Sequence, residues 1–204
     1  KQFHVNKTKA GKQAVGGVAP LATGGFVVTW ESAPLSGATG QDGSGRGIYA
    51  RRFNADGSPA SGEFRVNTST TGDQKQPGIA ALTNGGFVVV WMDVGQDTFK
   101  AQRFSSSGSA VGSEVVIGFS ALSTGVAGLK DGGFVAIWTG EVGGVGTEAC
   151  ARVFNANGVA VTGEFQANTF NVGAQQAWSV DGLANGGYVI LWTSDGQDGS
   201  LLGV

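Results

Sequence analysis

A seven-residue pattern that returns four times constrains this chain more than any other feature. Each copy has two glycines, an aromatic residue, three residues that are apolar apart from one threonine, and a tryptophan. The copies occupy residues 24–30, 85–91, 132–138 and 186–192. They lie roughly 50 residues apart, and a repeat of that period indicates an architecture built from one recurring structural unit.

Each copy is flanked by other short segments whose sequence pattern is typical of β-strands. A first segment begins with phenylalanine and ends at asparagine in three of the repeats, at residues 3–6, 64–67 and 165–168. A second apolar segment precedes the glycine pair, the third is the run that ends in tryptophan, and a fourth ends in phenylalanine at residues 53, 104 and 154. No segment has helical periodicity. The pattern predicts a four-stranded unit, repeated at residues 1–62, 63–113, 114–163 and 164–204.

The residues around the glycine pair predict how the second and third segments are joined. Asn84 and Asp131 directly precede a glycine pair, and Asn-Gly and Asp-Gly are the strongest short-range hairpin signals. In the favoured two-residue turn both central residues have positive φ. The third segment is apolar throughout, as in strands buried on both faces, so we predict that its terminal tryptophan packs in the core.

Four strands per repeat and short turns predict an all-β β-propeller, with one repeat per blade. Four repeats in 204 residues would suffice for a four-bladed ring if the ring closes. A β-sandwich, a β-prism and a solenoid are the alternatives. A sandwich does not predict four copies of one unit, and a parallel β-helix has a far shorter repeat.

Composition narrows the function classes. The charged fraction is only 14 % and the formal net charge is -2, so the chain lacks the basic surface that nucleic acid or an anionic membrane requires. No apolar run approaches the roughly 18 residues of a membrane-spanning helix. The 37 glycines fit a turn-rich β protein, because 41 % of the chain is hydrophobic and glycine follows no three-residue period.

The repeats resemble a known group of tandem repeats. The resemblance rests on the glycine-aromatic run at 24–30, the sequence Gly-Gln-Asp-Gly-Ser-Gly at 40–45, the segment at 48–57 and the segment at 63–68. Similar repeats occur in large secreted or surface-attached bacterial proteins, often beside calcium-binding nonapeptide or cadherin-like modules. The resemblance implies an exported, non-catalytic module in calcium-rich surroundings. It supplies no defined substrate.

Gln-Asp pairs in the loops after the tryptophan strands are the first candidates for ligand contact. Asp-Gly is a turn device first, because the aspartate bonds its own backbone. A sugar contact and a calcium site are the functional alternatives, although calcium needs six to eight oxygen ligands and one aspartate per loop cannot supply them. The candidate ligand-binding residues in these loops are Gln41, Asp42, Gln96, Asp97, Gln197 and Asp198. The candidate metal ligands are Asp42, Asp97, Asp195 and Asp198.

Four other residue types are candidates for a functional role. Trp178 is the only aromatic residue at its place in the second segment; core filling explains it most simply, and it is also a candidate ligand contact. His4 is the only histidine and is predicted to lie on the surface of a strand. Cys150 is the only cysteine and is predicted to pack as a small residue. Glutamates 63, 114 and 164 recur at one repeat position, which favours a structural role over catalysis.

Together these features predict an exported binding or adhesion module without enzymatic activity. Glycans are the expected ligand class, with another surface protein as the other partner and calcium as a possible ion. The alternative is a structural subunit that assembles with itself at the cell surface or in an extracellular matrix. The loops that differ after each tryptophan are the expected place for a binding site.

Overall fold

The computed structural model describes residues 2–9, 11–36, 38–141, 146–197, 199 and 203. These residues form fourteen β-strands and no helix, and hence no helix that could cross a membrane. Sheet 1 contains β1 (Lys12–Pro20), β2 (Phe26–Ala33), β3 (Gly47–Phe53) and β4 (Phe64–Arg65). Sheet 2 contains β5 (Gln74–Ala81), β6 (Phe87–Asp93), β7 (Thr98–Phe104) and β8 (Ala110–Phe119). Sheet 3 contains β9 (Ser123–Gly128), β10 (Phe134–Gly140), β11 (Glu148–Phe154) and β12 (Phe165–Gln166), and sheet 4 contains β13 (Gln175–Gly182) and β14 (Tyr188–Ser194).

The all-β prediction is confirmed. Within each sheet the strands lie side by side in chain order, and every neighbouring pair is antiparallel. Three sheets have the expected four strands. Sheet 4 has two strands within the described residues, and Gly203 pairs with Ser194 in the way that Gly47 pairs with Ser32 in sheet 1.

The segment that ends at asparagine closes the preceding sheet, so the prediction that it opens each unit is wrong. Phe64 pairs with Ala50 in sheet 1, and the side-chain oxygen of Asn67 accepts a 2.8 Å hydrogen bond from the Ile48 amide. These bonds attach the segment to β3. Residues 3–6 form no strand, so the expectation for His4 is wrong in that respect, although His4 is exposed.

The hairpins between the second and third segments form as predicted, but with a different turn. The amide of Gly85 donates to the Leu82 carbonyl, and Gly85 has a φ of 84° while Asn84 is not among the residues with positive φ. The turn is thus a type I turn followed by a left-handed glycine. The second glycine is needed for a separate reason, because a Cβ at Gly86 would overlap the carbonyl oxygen of Phe104 on β7.

The core lies between consecutive sheets, because the third segments are apolar on both faces. We call the face that carries Val27, Val88, Val135 or Val189 the forward face of its sheet, and the opposite face the rear face. The forward face of each of sheets 1–3 packs on the rear face of the next sheet. Trp30, Trp91 and Trp138 are buried as predicted, and Trp192 is half-buried.

The order of packing is sequential. Strands β1, β5, β9 and β13, which we call the inner strands, contact one another in that order, sheet 1 to 2, 2 to 3 and 3 to 4. Among the described strands, sheets 1 and 4 make no comparable contact. The forward face of sheet 4 thus packs on no further sheet among the described strands, while Phe3 packs on the rear face of sheet 1 against Phe26 and Phe53.

Candidate binding site

The Gln-Asp loop of sheet 1 directs its carboxylate inward. One oxygen of Asp42 accepts a 3.0 Å hydrogen bond from the Ser44 amide, which is the turn interaction expected of this residue type. The other oxygen is buried, and a Cβ at Gly47 would lie 2.9 Å from it. Burial, followed by the charge of Asp42, raises the pKa of Tyr49 to about 12. The first oxygen of Asp42 thus shapes the loop, and the second has no hydrogen-bond partner among the described residues.

Gln41 belongs to a small network at the same edge of sheet 1. Its amide donates to the Thr8 hydroxyl at 3.1 Å, and that hydroxyl donates to Glu63 at 2.9 Å. Glu63 also accepts bonds from the amides of Lys7 and Thr8. Burial alone would raise the pKa of Glu63, but these hydrogen bonds outweigh it and lower the pKa. The network fastens residues 7–8 to sheet 1.

The corresponding residues of sheet 2 are also committed to internal bonds. The side-chain oxygen of Gln96 accepts from the Lys100 ammonium at 2.8 Å, and Lys100 forms a buried 2.8 Å ion pair with Asp93. Asp97 has a positive φ of 50° and accepts a 2.9 Å bond from the Ser120 hydroxyl. Both candidates thus stabilise the local fold.

The candidate metal ligands do not come together in the part of the chain that the structure describes. Asp42, Asp97 and Asp195 follow β2, β6 and β14, so each lies in the loop of a different sheet. The described residues contain no group of three or more histidine, cysteine, aspartate or glutamate side chains that could hold a metal ion. Gln197 is exposed, and Asp198 lies outside the described residues. Calcium binding stays a prediction from the sequence.

The recurrent glutamates bond within the fold. Glu63 accepts hydrogen bonds from the amides of residues 7 and 8, and Glu114 accepts one from the Thr68 amide. Glu164 lies 3.9 Å from the Arg152 guanidinium.

Cys150 is buried, and this burial raises the pKa of its thiol to about 12. The prediction that Cys150 packs as a core residue is confirmed.

Trp178 is the sequence candidate that the structure places in an open site. Its side chain is 65 % exposed, so the core-filling interpretation is wrong. The indole N–H donates a 3.0 Å hydrogen bond to the Thr193 hydroxyl, which holds the ring against sheet 4. The ring borders a depression of about 330 Å³, which we call the central depression.

The central depression is lined by the inner strand of every sheet. Gly16 comes from β1, Gln76 and Pro77 from β5, Thr124 from β9 and Trp178 from β13. Three of these strands are bulged at this level, since strand pairing shifts at Gly16, at residues 76–77 and at Trp178. A bulge turns a side chain away from the regular alternation. The four strands thus present irregular, partly polar surface to one shared space.

Sequence reasoning found Trp178 but missed the other residues of the depression. A glycine or proline inside a strand pattern signals a bulge or a close backbone approach, and residues 16 and 77 carry that signal. Gln76 has a positive φ of 52°, which no sequence pattern indicates for a glutamine. Its convergence with Thr124, whose hydroxyl donates to the Gln76 carbonyl at 2.7 Å, depends on sheet packing.

No protein-family model matches this chain, and none of the curated proteins matches it either. Among solved structures, the chain is similar to a crystal structure of a protein of unknown function from Dyadobacter fermentans DSM 18053. The two chains are 11 % identical, with a TM-score of 0.41, and the match covers 94 % of this chain and 78 % of the other.

Proposed function

We propose that this protein is a non-catalytic binding module that holds a glycan in the central depression, with one sugar ring stacked on Trp178. The observation that carries the proposal is an exposed tryptophan fixed by a hydrogen bond at the border of a concave, mixed polar and apolar site. Binding sites commonly combine an apolar or aromatic surface with a few polar groups that set orientation.

The polar groups around Trp178 suit sugar hydroxyls. Gln76 lines the central depression, and Gln176 lines a second hollow of about 250 Å³ that also borders Trp178. Both glutamine side chains are exposed, and an amide donates and accepts hydrogen bonds. An indole face supplies the apolar contact for the C–H side of a sugar ring. Glycan contact is therefore expected where the inner strands meet and not in the Gln-Asp loops.

Affinity for immobilised glycans tests this proposal. The unmodified chain is expected to be retained, and Trp178→Ala is expected to lose most of that retention because the stacking surface is gone. Phe119→Ala is the matched control, since Phe119 is an exposed aromatic residue outside the depression. Absence of retention on a broad glycan array, with and without calcium, would reject the proposal, as would equal losses in both variants.

A second set of variants separates the depression from the loops. Gln41→Ala and Gln96→Ala remove the amide side chains that the sequence suggested, while Gln76→Ala alters the central depression. We expect retention to fall for Gln76→Ala and to persist for the two loop variants. The opposite result would return the glycan site to the loops.

We also propose that the four sheets are arranged as blades of a β-propeller around the central depression. Support comes from the sequential face-to-face packing and from the inner strands of all four sheets, which line one small space. A straight stack would separate β1 from β13 by about 30 Å, because packed sheets lie about 10 Å apart. Spin labels on Gln13 and Gln176 test this: a distance near 30 Å would contradict the propeller arrangement.

Export to the cell surface stays a proposal that rests on the repeat resemblance. A structural role through self-assembly is the second candidate function. It is favoured by apolar residues that remain exposed on the forward face of sheet 4. Large exposed apolar patches commonly mark interaction sites.

A further inference from the structure

Trp178 borders two hollows that adjoin each other. The central depression and the second hollow share Ser123, Ala177 and Trp178 in their walls. Trp178 is 65 % exposed, and the bond from its indole N–H to Thr193 fixes the ring. A ligand that stacks on this ring can therefore extend from one hollow into the other without leaving the surface of the protein.

The wall that the two hollows share is built from polar groups that bond to each other. The Ser123 hydroxyl donates to the Ala177 carbonyl at 3.1 Å and lies 2.8 Å from the Thr139 hydroxyl. The Thr139 hydroxyl in turn accepts a 2.9 Å bond from the Ala177 amide. Ser123 and Thr139 belong to sheet 3 and Ala177 to sheet 4, so these bonds join the two sheets. The shared wall is thus a fixed platform, and polar contact with a ligand falls to other side chains.

Each hollow has one glutamine whose side-chain amide is available to a ligand. Gln76 lines the central depression, and Gln176 lines the second hollow. Both side chains are exposed, and neither amide group forms a hydrogen bond with another described residue. A side-chain amide carries two N–H donors beside an oxygen acceptor, so it can pair with two neighbouring sugar hydroxyls. The two hollows thus offer one sugar-binding group each, with Trp178 bordering both.

The backbone of Gln76 has an unfavourable conformation that both neighbouring sheets maintain. Its φ of 52° lies in the left-handed region, which a glutamine adopts rarely. Its backbone amide donates to Glu31 of sheet 1 at 3.3 Å, and its carbonyl accepts the 2.7 Å bond from Thr124 of sheet 3. Strained residues persist only where their surroundings hold them, and they cluster at binding and active sites. The strain at Gln76 therefore supports a role in ligand contact.

The described walls of both hollows carry no charge. They consist of glycine, glutamine, proline, serine, threonine, alanine, leucine and tryptophan residues. The charged groups next to Gln76 are paired with each other, since Glu31 binds Arg46 and the Lys75 ammonium lies 3.2 Å from Asp73. A carboxylate or sulfate that loses water on binding needs an opposite charge to compensate. An anionic sugar is therefore disfavoured in either hollow.

We infer that the ligand is a neutral oligosaccharide that crosses Trp178, with one sugar unit at Gln76 in the central depression and the next unit at Gln176 in the second hollow. This assignment deepens the proposed glycan binding and rests on it. It specifies a chain of at least two sugar units without carboxyl or sulfate groups. The minimum length follows from the two adjoining hollows, and the neutrality follows from their uncharged walls.

The length and charge of the glycan test this assignment. The probes are immobilised neutral hexose and N-acetylhexosamine oligomers of one, two and three units, beside the matched uronic-acid oligomers. For a retained sugar, we expect the affinity to rise at least tenfold from one unit to two and to fall at least tenfold in the uronic-acid form. Equal affinity for one and two units, or equal or tighter binding of the uronic acids, would overturn the assignment and leave glycan binding intact. No retention of any oligomer would reject the proposed function as well.

Two glutamine variants place the sugar units in the two hollows. Gln176→Ala should lower the affinity for the two-unit oligomer at least threefold and leave single-unit binding unchanged, because only the second unit reaches Gln176. Gln76→Ala should weaken both. Gln197→Ala is the matched control, since Gln197 is exposed in the loop after β14, and circular dichroism checks that all three variants fold. Equal losses at both lengths in Gln176→Ala, or no loss beyond that of the control, would overturn the two-unit placement.

Discussion

Sheets 2 and 4 contain nearly the same third segment, yet the two sheets bury it differently. Val88 and Val90 of sheet 2 pack against sheet 3, while Val189 and Leu191 at the same positions of sheet 4 stay exposed because no described sheet follows them. The strands, the hairpin turn and the register are alike. The comparison shows that the repeat pattern fixes the strand, whereas the adjacent sheets fix how much that strand contributes to stability.

Replacing the tryptophan of the third segment should give the largest difference in unfolding free energy between sheets 2 and 4. Trp91→Ala is expected to lower the free energy of unfolding by about 3–5 kcal/mol, because a fully buried aromatic side chain is lost. Trp192→Ala should cost less, because that ring is half-buried. Urea unfolding followed by circular dichroism measures both. Equal costs would indicate that sheet 4 is covered in solution.

The leucine that precedes the hairpin turn provides a second matched pair. Leu82→Ala should destabilise by about 2–5 kcal/mol, since it leaves a cavity between two sheets. Leu183→Ala removes an exposed side chain and should stay within about 0.5 kcal/mol. The measurement is again the urea midpoint, taken at low protein concentration. A large cost for Leu183→Ala that appears only at high concentration would support association through this face.

The second glycine of the pair lies against the third strand of its sheet in sheet 2 but not in sheet 4. Substituting it therefore measures the steric effect of that strand on stability. Gly86→Ala should cost about 1–3 kcal/mol, because the new Cβ overlaps the Phe104 carbonyl on β7. Gly187→Ala should be almost neutral, because the nearest atoms to its Cβ are the Asn185 side-chain oxygen at 3.3 Å and Leu183 at 3.9 Å. Thermal unfolding of the two variants checks the difference. A costly Gly187→Ala would mean that a strand lies against β14 in solution.

The smallest expected effect concerns pH and the loop fastened to sheet 1. Hydrogen bonds lower the pKa of Glu63 from its usual 4.5, although burial acts in the opposite direction. The stabilisation is therefore complete above pH 4.5 and is lost as the pH falls through the lowered value. Glu63→Gln should flatten the stability curve below pH 4.5. If stability falls equally in acid for Glu63→Gln and the unmodified chain, the hydrogen bonds of Glu63 contribute nothing to stability.

Much of the fold could be predicted from repetition and local pattern. The apolar run before Trp91 indicated a buried strand, and the glycine after Asn84 indicated a hairpin. The partner of the segment at 64–67 could not be predicted, because this segment lies between two sheets in the chain. The pairing of Phe64 with Ala50 and the bond from the Ile48 amide to Asn67 assign it to sheet 1.

The candidate site was less predictable than the fold. The Gln-Asp loops have a clear sequence signal, but the side chains of Asp42 and Gln96 are used by bonds within their own sheets. Trp178 departs from its repeat in sequence, but its exposure depends on the packing of sheet 4. A deviation from a repeat can thus be a better functional signal than the repeat itself.

The sequence alone determined the strands, the turns and the apolar character of the third segments, because these depend on residues close together in the chain. Tertiary structure decided which sheet receives each short outer strand, which apolar residues stay exposed and which inner-strand residues meet at the central depression. Those outcomes depend on contacts between residues roughly 50 positions apart, which follow from how twisted sheets pack on each other. Local periodicity carries no information about that packing.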